Sequence, residues 1–112
     1  VVTLGGDVHM NVAANLRMAI NDPQSPIVAS EFVTTSITSR GMGDKALATI
    51  RESNADLLHA RSDERGYTAI TVTPEAVRCD FKTTAFPAGS ETGFKTQASY
   101  VVHKDTPGPQ KI

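Results

Sequence analysis

The alternation of hydrophobic and polar residues in the first third of the chain predicts two strands with a helical segment between them. Residues 1–8, VVTLGGDV, are apolar and β-branched around a glycine pair, which is typical of a buried strand. In residues 9–20 apolar positions recur every four residues from Val12 to Ile20, which favours a short helical segment ended by the prolines that follow. Residues 28–37 alternate again and predict the second strand.

The pattern changes at Asp44 to that of an amphipathic helix. Asp44 is a suitable N-cap for residues 45–59, in which Leu47 and Ile50 begin an apolar stripe. Residues 60–66 are polar and charged, so we expect them to form a connector.

The remainder of the chain predicts further strands. Two β-branched runs, residues 67–73 and 77–86, flank a Pro-Glu turn and form the strongest hairpin signal. Residues 94–104 predict a last strand, and residues 105–112 an extended tail. The expected fold class is α+β, with mostly antiparallel strands and one main helix.

Composition changes this picture little. The 112 residues suit one small domain, and 39% hydrophobic with 21% charged residues is typical of a globular protein without a transmembrane segment. A net charge of −1 gives no reason to expect a nucleic-acid-binding surface. The single Cys79 cannot form an internal disulfide. Because no initiator Met or signal peptide is present, we expect a mature product or a piece of something longer.

The strongest candidate chemistry lies where the first strand ends. Residues i and i+2 of a strand point to the same face, so Asp7 and His9 would project side by side if the extended conformation continues. A carboxylate and an imidazole suit a mixed metal site, and Gly5 and Gly6 would let an anion approach closely. The alternative is that Asp7 caps a turn and His9 is an ordinary surface residue.

Three ordered blocks carry a family resemblance. GGDVH, EFVTTSITSRG and RGYTAITVTPEAVRCDF follow one another between residues 5 and 81, and the closing ASYVVHKDTPGP adds to them. Together they resemble the C-terminal portion of the PhoD-like alkaline phosphatases. The resemblance implies a calcineurin-like, four-layer αββα core and a metal-dependent phosphatase or phosphodiesterase. Such an enzyme hydrolyses phosphate mono- or diesters through a metal-bound hydroxide.

The resemblance also implies roles for individual residues. Asp7 and His9 match the metal ligands of the family's Gly-Asp-Val-His motif, at a centre of Fe3+ and Ca2+. His9 would suit the iron, and Asp7 the calcium or a position shared by both ions. Asn11 would lie within reach of the phosphate ester substrate, although a turn-capping role is equally open. Family members are often exported, which implies a secreted or periplasmic location.

The rest of the family's ligand set precedes the region represented here. The resemblance therefore implies that residues 1–112 are the C-terminal segment of a single catalytic domain, inactive without its N-terminal half or another chain. We expect these strands to form much of one sheet of the intact sandwich. Without that half, the chain should expose sheet edges and be poorly stable.

Other polar residues have simpler explanations. We expect His59 to complement the dipole at the C-terminal end of the helix, His103 to lie on the surface and Cys79 to occupy an apolar position. Tyr67 should pack, and Ser36 is a candidate neighbour of the site.

Two other functional interpretations stay open. One is a non-catalytic, β-rich interaction module of the same fold with a vestigial Asp-x-His pair. The other is an unrelated domain that binds a single metal ion.

Overall fold

Two four-stranded sheets and one helix make up the fold. The computed structural model describes residues 1–90 and 93–112. In chain order its elements are β1 Val2–Gly5, β2 Asn11–Arg17, β3 Ile27–Val33, α1 Asp44–Glu52, β4 Leu57–Arg61, β5 Glu64–Val72, β6 Ala76–Ala85, β7 Lys95–His103 and β8 Thr106–Lys111. Sheet 1 has the order β1-β3-β2-β4, and sheet 2 has the order β5-β6-β7-β8. Every pair is antiparallel except β1 with β3.

The main core lies between the two sheets. Ala13 and Phe32 of sheet 1 pack against the inward side chains of sheet 2, among them Cys79, Phe81 and Tyr100. The rings of Phe32 and Phe81 meet edge to face, with centroids 6.3 Å apart. The expectation that these strands form much of one sheet is therefore wrong, because the chain supplies four strands to each of two facing sheets.

Helix α1 covers the other face of sheet 1. Its buried Leu47 joins a second core with Met10, Val12, Val33 and Ala60. The described residues thus form three layers, in the order helix, sheet and sheet.

The outer face of sheet 2 is polar. Arg78 and Asp80 pair there at 2.8 Å, and the Lys82 ammonium donates to the Thr96 hydroxyl at 2.6 Å. Inward and outward residues alternate along β6 from Arg78 to Thr83, as expected for a strand with one solvated face. Within the described residues, no helix combines the length and apolar character needed to cross a bilayer.

The helical segment expected in residues 9–20 is wrong. This stretch contains β2, which lies in the middle of sheet 1 between β3 and β4. Ala13 packs towards sheet 2 while Val12 and Ala14 pack towards α1, so both faces of the strand are buried. A strand buried on both faces has no polar alternation to distinguish it from a helix.

The helix is shorter than expected. Gly43, not Asp44, is its N-cap, and it ends at Glu52. The Asn54 side chain accepts a hydrogen bond from the backbone N–H of Asp56 at 3.1 Å, and this turn leads the chain into β4. The connector expected over residues 60–66 is also wrong, because these residues complete β4 and begin β5.

The strands predicted from residue 67 onwards are confirmed. The hairpin is confirmed as β5 and β6, paired in continuous register from Glu64 with Ala85 to Val72 with Val77. The last predicted strand is confirmed as β7, and the extended tail forms β8 along its edge.

Candidate functional site

The loop that carries Asp7 and His9 is a tight turn rather than an extended strand. β1 ends at Gly5, and the backbone φ angles of Asp7 and His9 are 74° and 55°. The Val8 N–H donates to the Gly6 carbonyl at 2.9 Å, so Asp7 is the central residue of a three-residue γ-turn. The extended geometry expected here is therefore wrong. Backbone in this region costs about 1–3 kcal/mol per residue, and such residues cluster at functional sites.

One hydrogen bond orients the His9 ring and indicates its tautomer. Its Nδ1 lies 2.7 Å from the carbonyl oxygen of Arg40. A carbonyl only accepts, so Nδ1 carries the ring proton and the lone pair of the neutral imidazole is on Nε2. The ring is half-buried, while the Asp7 carboxylate beside it in the loop is exposed.

Arg65 lies beneath this loop and is fully buried, at 0% exposure. Its Nη2 donates to the carbonyl oxygens of Ser62 at 2.6 Å and His9 at 3.3 Å. Its Nη1 donates to the Ser36 hydroxyl and to the Ser39 carbonyl, both at 2.5 Å. Burial lowers the pKa of the Arg65 guanidinium, which nevertheless stays protonated near neutral pH. Three separate segments therefore meet at one side chain.

Ser62 and Gly41 complete the packing around Arg65. The Ser62 hydroxyl donates to the His9 carbonyl at 2.8 Å and accepts from the Met42 N–H at 2.6 Å. A Cβ atom at position 41 would lie 2.2 Å from that hydroxyl and 2.5 Å from Arg65 Nη2. Only glycine fits at this position without displacing the cluster.

Asn11 begins β2 just after the loop and is fully buried. Its Oδ1 accepts from the Thr35 N–H at 2.9 Å, and its Nδ2 donates to Gln97 Oε1 at 3.2 Å. Both ends of the amide are thus used within the chain. These bonds fix the segment after β3 against the start of β2, and a contact of Asn11 with substrate stays a prediction.

A polar cluster continues from Asn11 into the interior. Gln97 Oε1 also accepts from His59 Nε2 at 2.9 Å, and Gln97 Nε2 donates to the Glu64 carboxylate at 2.9 Å. Burial opposes ionisation of Glu64, but hydrogen bonds from Lys95 and Gln97 outweigh it and hold the pKa of the carboxyl below its ordinary value. The cluster joins both sheets next to the candidate site.

His59 is not at a helix end, so that expectation is wrong. It lies in β4 with its ring stacked on Phe81, the centroids 5.3 Å apart. Burial lowers the pKa of the imidazole, although the Gln97 hydrogen bond opposes this effect. His59 is therefore a partly buried residue that is neutral near pH 7.

The other candidate residues fall as expected. His103 is exposed, and Cys79 is buried, with burial raising the pKa of its thiol to about 12. Tyr67 contacts Phe94, with ring centroids 5.3 Å apart, but stays half-exposed. Ser36 is connected to the loop through Arg65.

The described residues hold no larger group of metal-ligating side chains. In residues 1–90 and 93–112, no group of three or more His, Cys, Asp or Glu side chains is placed to hold a metal ion. Arg65 and Glu64 lie in a segment that was predicted to be a solvated connector, and neither was predicted to support the site. The one available signal was Gly66 beside Arg65, because a glycine inside a strand indicates a close approach. A Cβ there would lie 1.9 Å from the Lys82 carbonyl.

Comparisons with known proteins point to one family. The profile described as PhoD-like phosphatase matches residues 1–81. Alkaline phosphatase D of Bacillus subtilis (strain 168) is 37% identical over 114 residues, covering 100% of this chain and 20% of the relative. A solved structure, "Structure of PhoD", matches with a TM-score of 0.83 and 32% identity over 99% of this chain and 22% of that chain.

A second curated relative, which matches over a shorter stretch, carries the name of a different enzyme. Serine hydroxymethyltransferase of Acinetobacter baylyi (strain ATCC 33305 / BD413 / ADP1) is 32% identical over 75 residues, covering 65% of this chain and 18% of that protein. The chain therefore spans about a fifth of the length of the curated relatives it matches. The profile covers more than half of the chain and the PhoD structure nearly all of it, which confirms the resemblance carried by the motifs. The chain belongs to the PhoD-like phosphatase family.

Proposed function

We propose that this chain is part of a metal-dependent phosphatase or phosphodiesterase, and that Asp7 and His9 are two of its metal ligands. The observation that carries the proposal is the hydrogen bond from His9 Nδ1 to the Arg40 carbonyl. Metal-ligating histidines usually donate their second ring N–H to a carbonyl or carboxylate, because this fixes the tautomer and orients the coordinating nitrogen. The strained backbone at Asp7 and His9 agrees with a functional loop.

The two side chains fit the expected metals. An exposed carboxylate is a ligand that Ca2+ accepts, and neutral imidazole suits iron. We therefore propose His9 as a ligand of Fe3+, and Asp7 as a ligand of Ca2+ or of both ions. When bound, these ions would generate a nucleophile from water near neutral pH and neutralise charge on the phosphoryl group.

The chain's own residues would organise the site. The loop presents Asp7 towards solvent, where a phosphate ester can approach, and Arg40 holds the His9 ring through its carbonyl. Asn11 is the proposed substrate neighbour, and would reach the ester only after releasing one of its present hydrogen bonds.

We also propose that the chain is the C-terminal segment of one catalytic domain. A two-metal site needs more ligands than Asp7 and His9 provide, and relatives are about five times longer than the matched region. In the proposed four-layer core, other segments would add strands and the second helical layer. A secreted or periplasmic location is part of the same proposal.

The test uses the intact protein of which this chain is proposed to be a segment. Asp7→Ala and His9→Ala should each lower the metal content measured by elemental analysis. Both should also reduce hydrolysis of p-nitrophenyl phosphate and bis-p-nitrophenyl phosphate by at least about 100-fold, since metal coordination supplies several kcal/mol of the catalysis.

Matched controls are available in the same chain. Asp105 is an exposed aspartate with a φ of 60°, and His103 is an exposed histidine two residues before it. Asp105→Ala and His103→Ala should leave metal content and turnover unchanged. If the Asp7 and His9 variants behave like these controls, the chain is better described as a non-catalytic module with a vestigial Asp-x-His pair.

A further inference from the structure

Arg65 is a buried cation whose hydrogen bonds all go to neutral groups, with the charge of Asp63 acting on it from a longer distance. Its described hydrogen-bond partners are three backbone carbonyls and one hydroxyl. No carboxylate lies within ion-pair distance of Arg65 in the described part of the chain. A guanidinium buried in this way is expensive unless its donors are well placed. Apolar residues of similar volume are often as stable as buried charged groups, so packing alone does not account for an arginine here.

Two of the acceptors of Arg65 belong to the backbone segments that hold His9. Nη2 holds the backbone of His9 itself through its carbonyl oxygen. Nη1 holds the carbonyl of Ser39, the peptide group next to the one that accepts from the His9 ring. The guanidinium therefore spans the two backbone segments that together determine where the imidazole lies.

The fork shape of the side chain matters for this arrangement. Two nitrogens of one rigid plane bind two segments, which fixes their separation as well as their contact with Arg65. The left-handed backbone at His9, with a φ of 55°, is unfavourable and persists only where surrounding bonds impose it. Arg65 and Ser62 both donate to the His9 carbonyl and supply those bonds.

We propose that Arg65 is a positioning residue for the metal site, holding His9 and the Arg40 carbonyl in the relative orientation that keeps the Nδ1–H tautomer. This inference rests on the proposed function of His9 as a metal ligand. Arg65 touches neither metal nor substrate in this role and acts through the loop.

The first readout is independent of metal and of activity. In the metal-free intact protein labelled with 15N-histidine, the His9 ring signals, assigned with His9→Gln, should show the Nδ1–H tautomer. In Arg65→Lys they should show a mixture of tautomers, because one ammonium cannot hold both segments. An unchanged tautomer in Arg65→Lys would overturn the proposal.

The second readout is metal retention. Iron per chain is measured after equilibration with increasing EDTA. Arg65→Lys should lose half of its iron at an EDTA concentration at least about tenfold lower than the wild type, the usual size of an outer-sphere effect. Arg78→Lys, which changes an exposed arginine on the outer face of sheet 2, should match the wild type. A role in folding alone would lower stability but leave iron retention of the folded protein unchanged, and that result would overturn the proposal.

A milder variant covers the case in which Arg65→Lys does not fold. Ser62→Ala removes the second donor to the His9 carbonyl, and should also shift the tautomer signals and weaken iron retention. If Ser62→Ala then behaves like the wild type in both readouts, hydrogen bonds to the His9 carbonyl do not position the ring, and the proposal is overturned. If His9→Ala itself retains iron, the ligand assignment fails, whereas the tautomer measurement still decides whether Arg65 orients the ring.

Discussion

The carbonyl oxygen of Arg40 lies 2.7 Å from Nδ1 of His9, although 31 residues separate them in the chain. Arg40 follows β3 and His9 follows β1, and these strands are parallel neighbours whose carboxyl ends meet at one edge of sheet 1. The carboxyl ends of parallel strands are where such sheets commonly build sites. The parallel pair therefore brings the candidate ligand to the group that orients it.

Because Asp7 has a positive φ, the effect of a substitution on stability can be measured separately from its effect on metal binding. With a φ of 74°, alanine at this position is strained while glycine is not. We expect the metal-free Asp7→Gly protein to be more stable than metal-free Asp7→Ala by about 1 kcal/mol, with both variants equally unable to retain metal. Urea denaturation and elemental analysis measure the two quantities.

Asp44 provides the control for this comparison because it lies in the first turn of α1. Glycine is a poorer helix residue than alanine, so the order of stability should reverse at position 44. If the alanine variant is more stable than the glycine variant at both positions, the left-handed turn at Asp7 is contradicted.

Two acidic neighbours of Arg61 should differ strongly in their contribution to stability. Glu64 is buried and also accepts from Gln97 and Thr83, whereas the side chain of Asp63 is 46% exposed. Glu64→Ala should destabilise the protein by about 2–4 kcal/mol, because buried donors lose their acceptor. Asp63→Ala should cost less than about 1 kcal/mol. Similar shifts in the urea midpoint for the two variants would contradict the burial of the cluster.

The sequence predicted elements with a local signal better than elements whose environment comes from the tertiary structure. The hairpin β5–β6 was predictable because its β-branched runs flank a Pro-Glu turn. Asp7 and His9 could be proposed from the sequence because their motif is local, and their role as metal ligands stays a prediction. The strand β2 was not predictable, because both of its faces are buried and its pattern has no polar side.

The support of the candidate site was less predictable still. Arg65 and Glu64 read as surface charges in RSDERG, and only the tertiary structure supplies the carbonyls, amide and hydroxyls that allow them to be buried. The turn at Asp7 was missed for a related reason. Hydrogen bonds to the His9 carbonyl from Ser62 and Arg65, more than 50 residues away, hold the loop.

His59 should make stability depend on pH between neutral and mildly acidic conditions. Burial lowers its pKa in the folded protein below the ordinary value of 6.5. As the pH falls through that value, the unfolded chain binds a proton that the folded chain does not, so the free energy of unfolding decreases. The stabilisation is complete above pH 6.5 and is lost towards the lower, folded-state pKa.

Urea denaturation of the intact protein between pH 5 and pH 7.5 tests this sign, a range chosen to lie above the titration of ordinary carboxyl groups. His59→Gln should show a smaller change in the free energy of unfolding with pH than the wild type. His103→Gln, which changes an exposed histidine, should retain the full slope. Equal slopes for wild type and His59→Gln would contradict a partly buried His59 whose pKa is lowered in the folded protein.

The isolated 112-residue chain should associate with itself or unfold without cooperativity. Strands β1 and β5 are each paired on one side only, and a groove of about 340 Å³ lies between them, lined by apolar side chains that include Leu4, Phe32 and Ile70. Leu4 is 63% exposed on the β1 edge. Open strand edges next to apolar surface favour pairing with another chain, because both backbone groups and apolar area gain partners.

Sedimentation velocity should therefore show a size that grows with concentration, and Leu4→Lys should reduce this association by placing a charge at the edge. A monomer with one cooperative unfolding transition would show that these edges are stable in water, and would remove the main physical reason for expecting the chain to need additional strands.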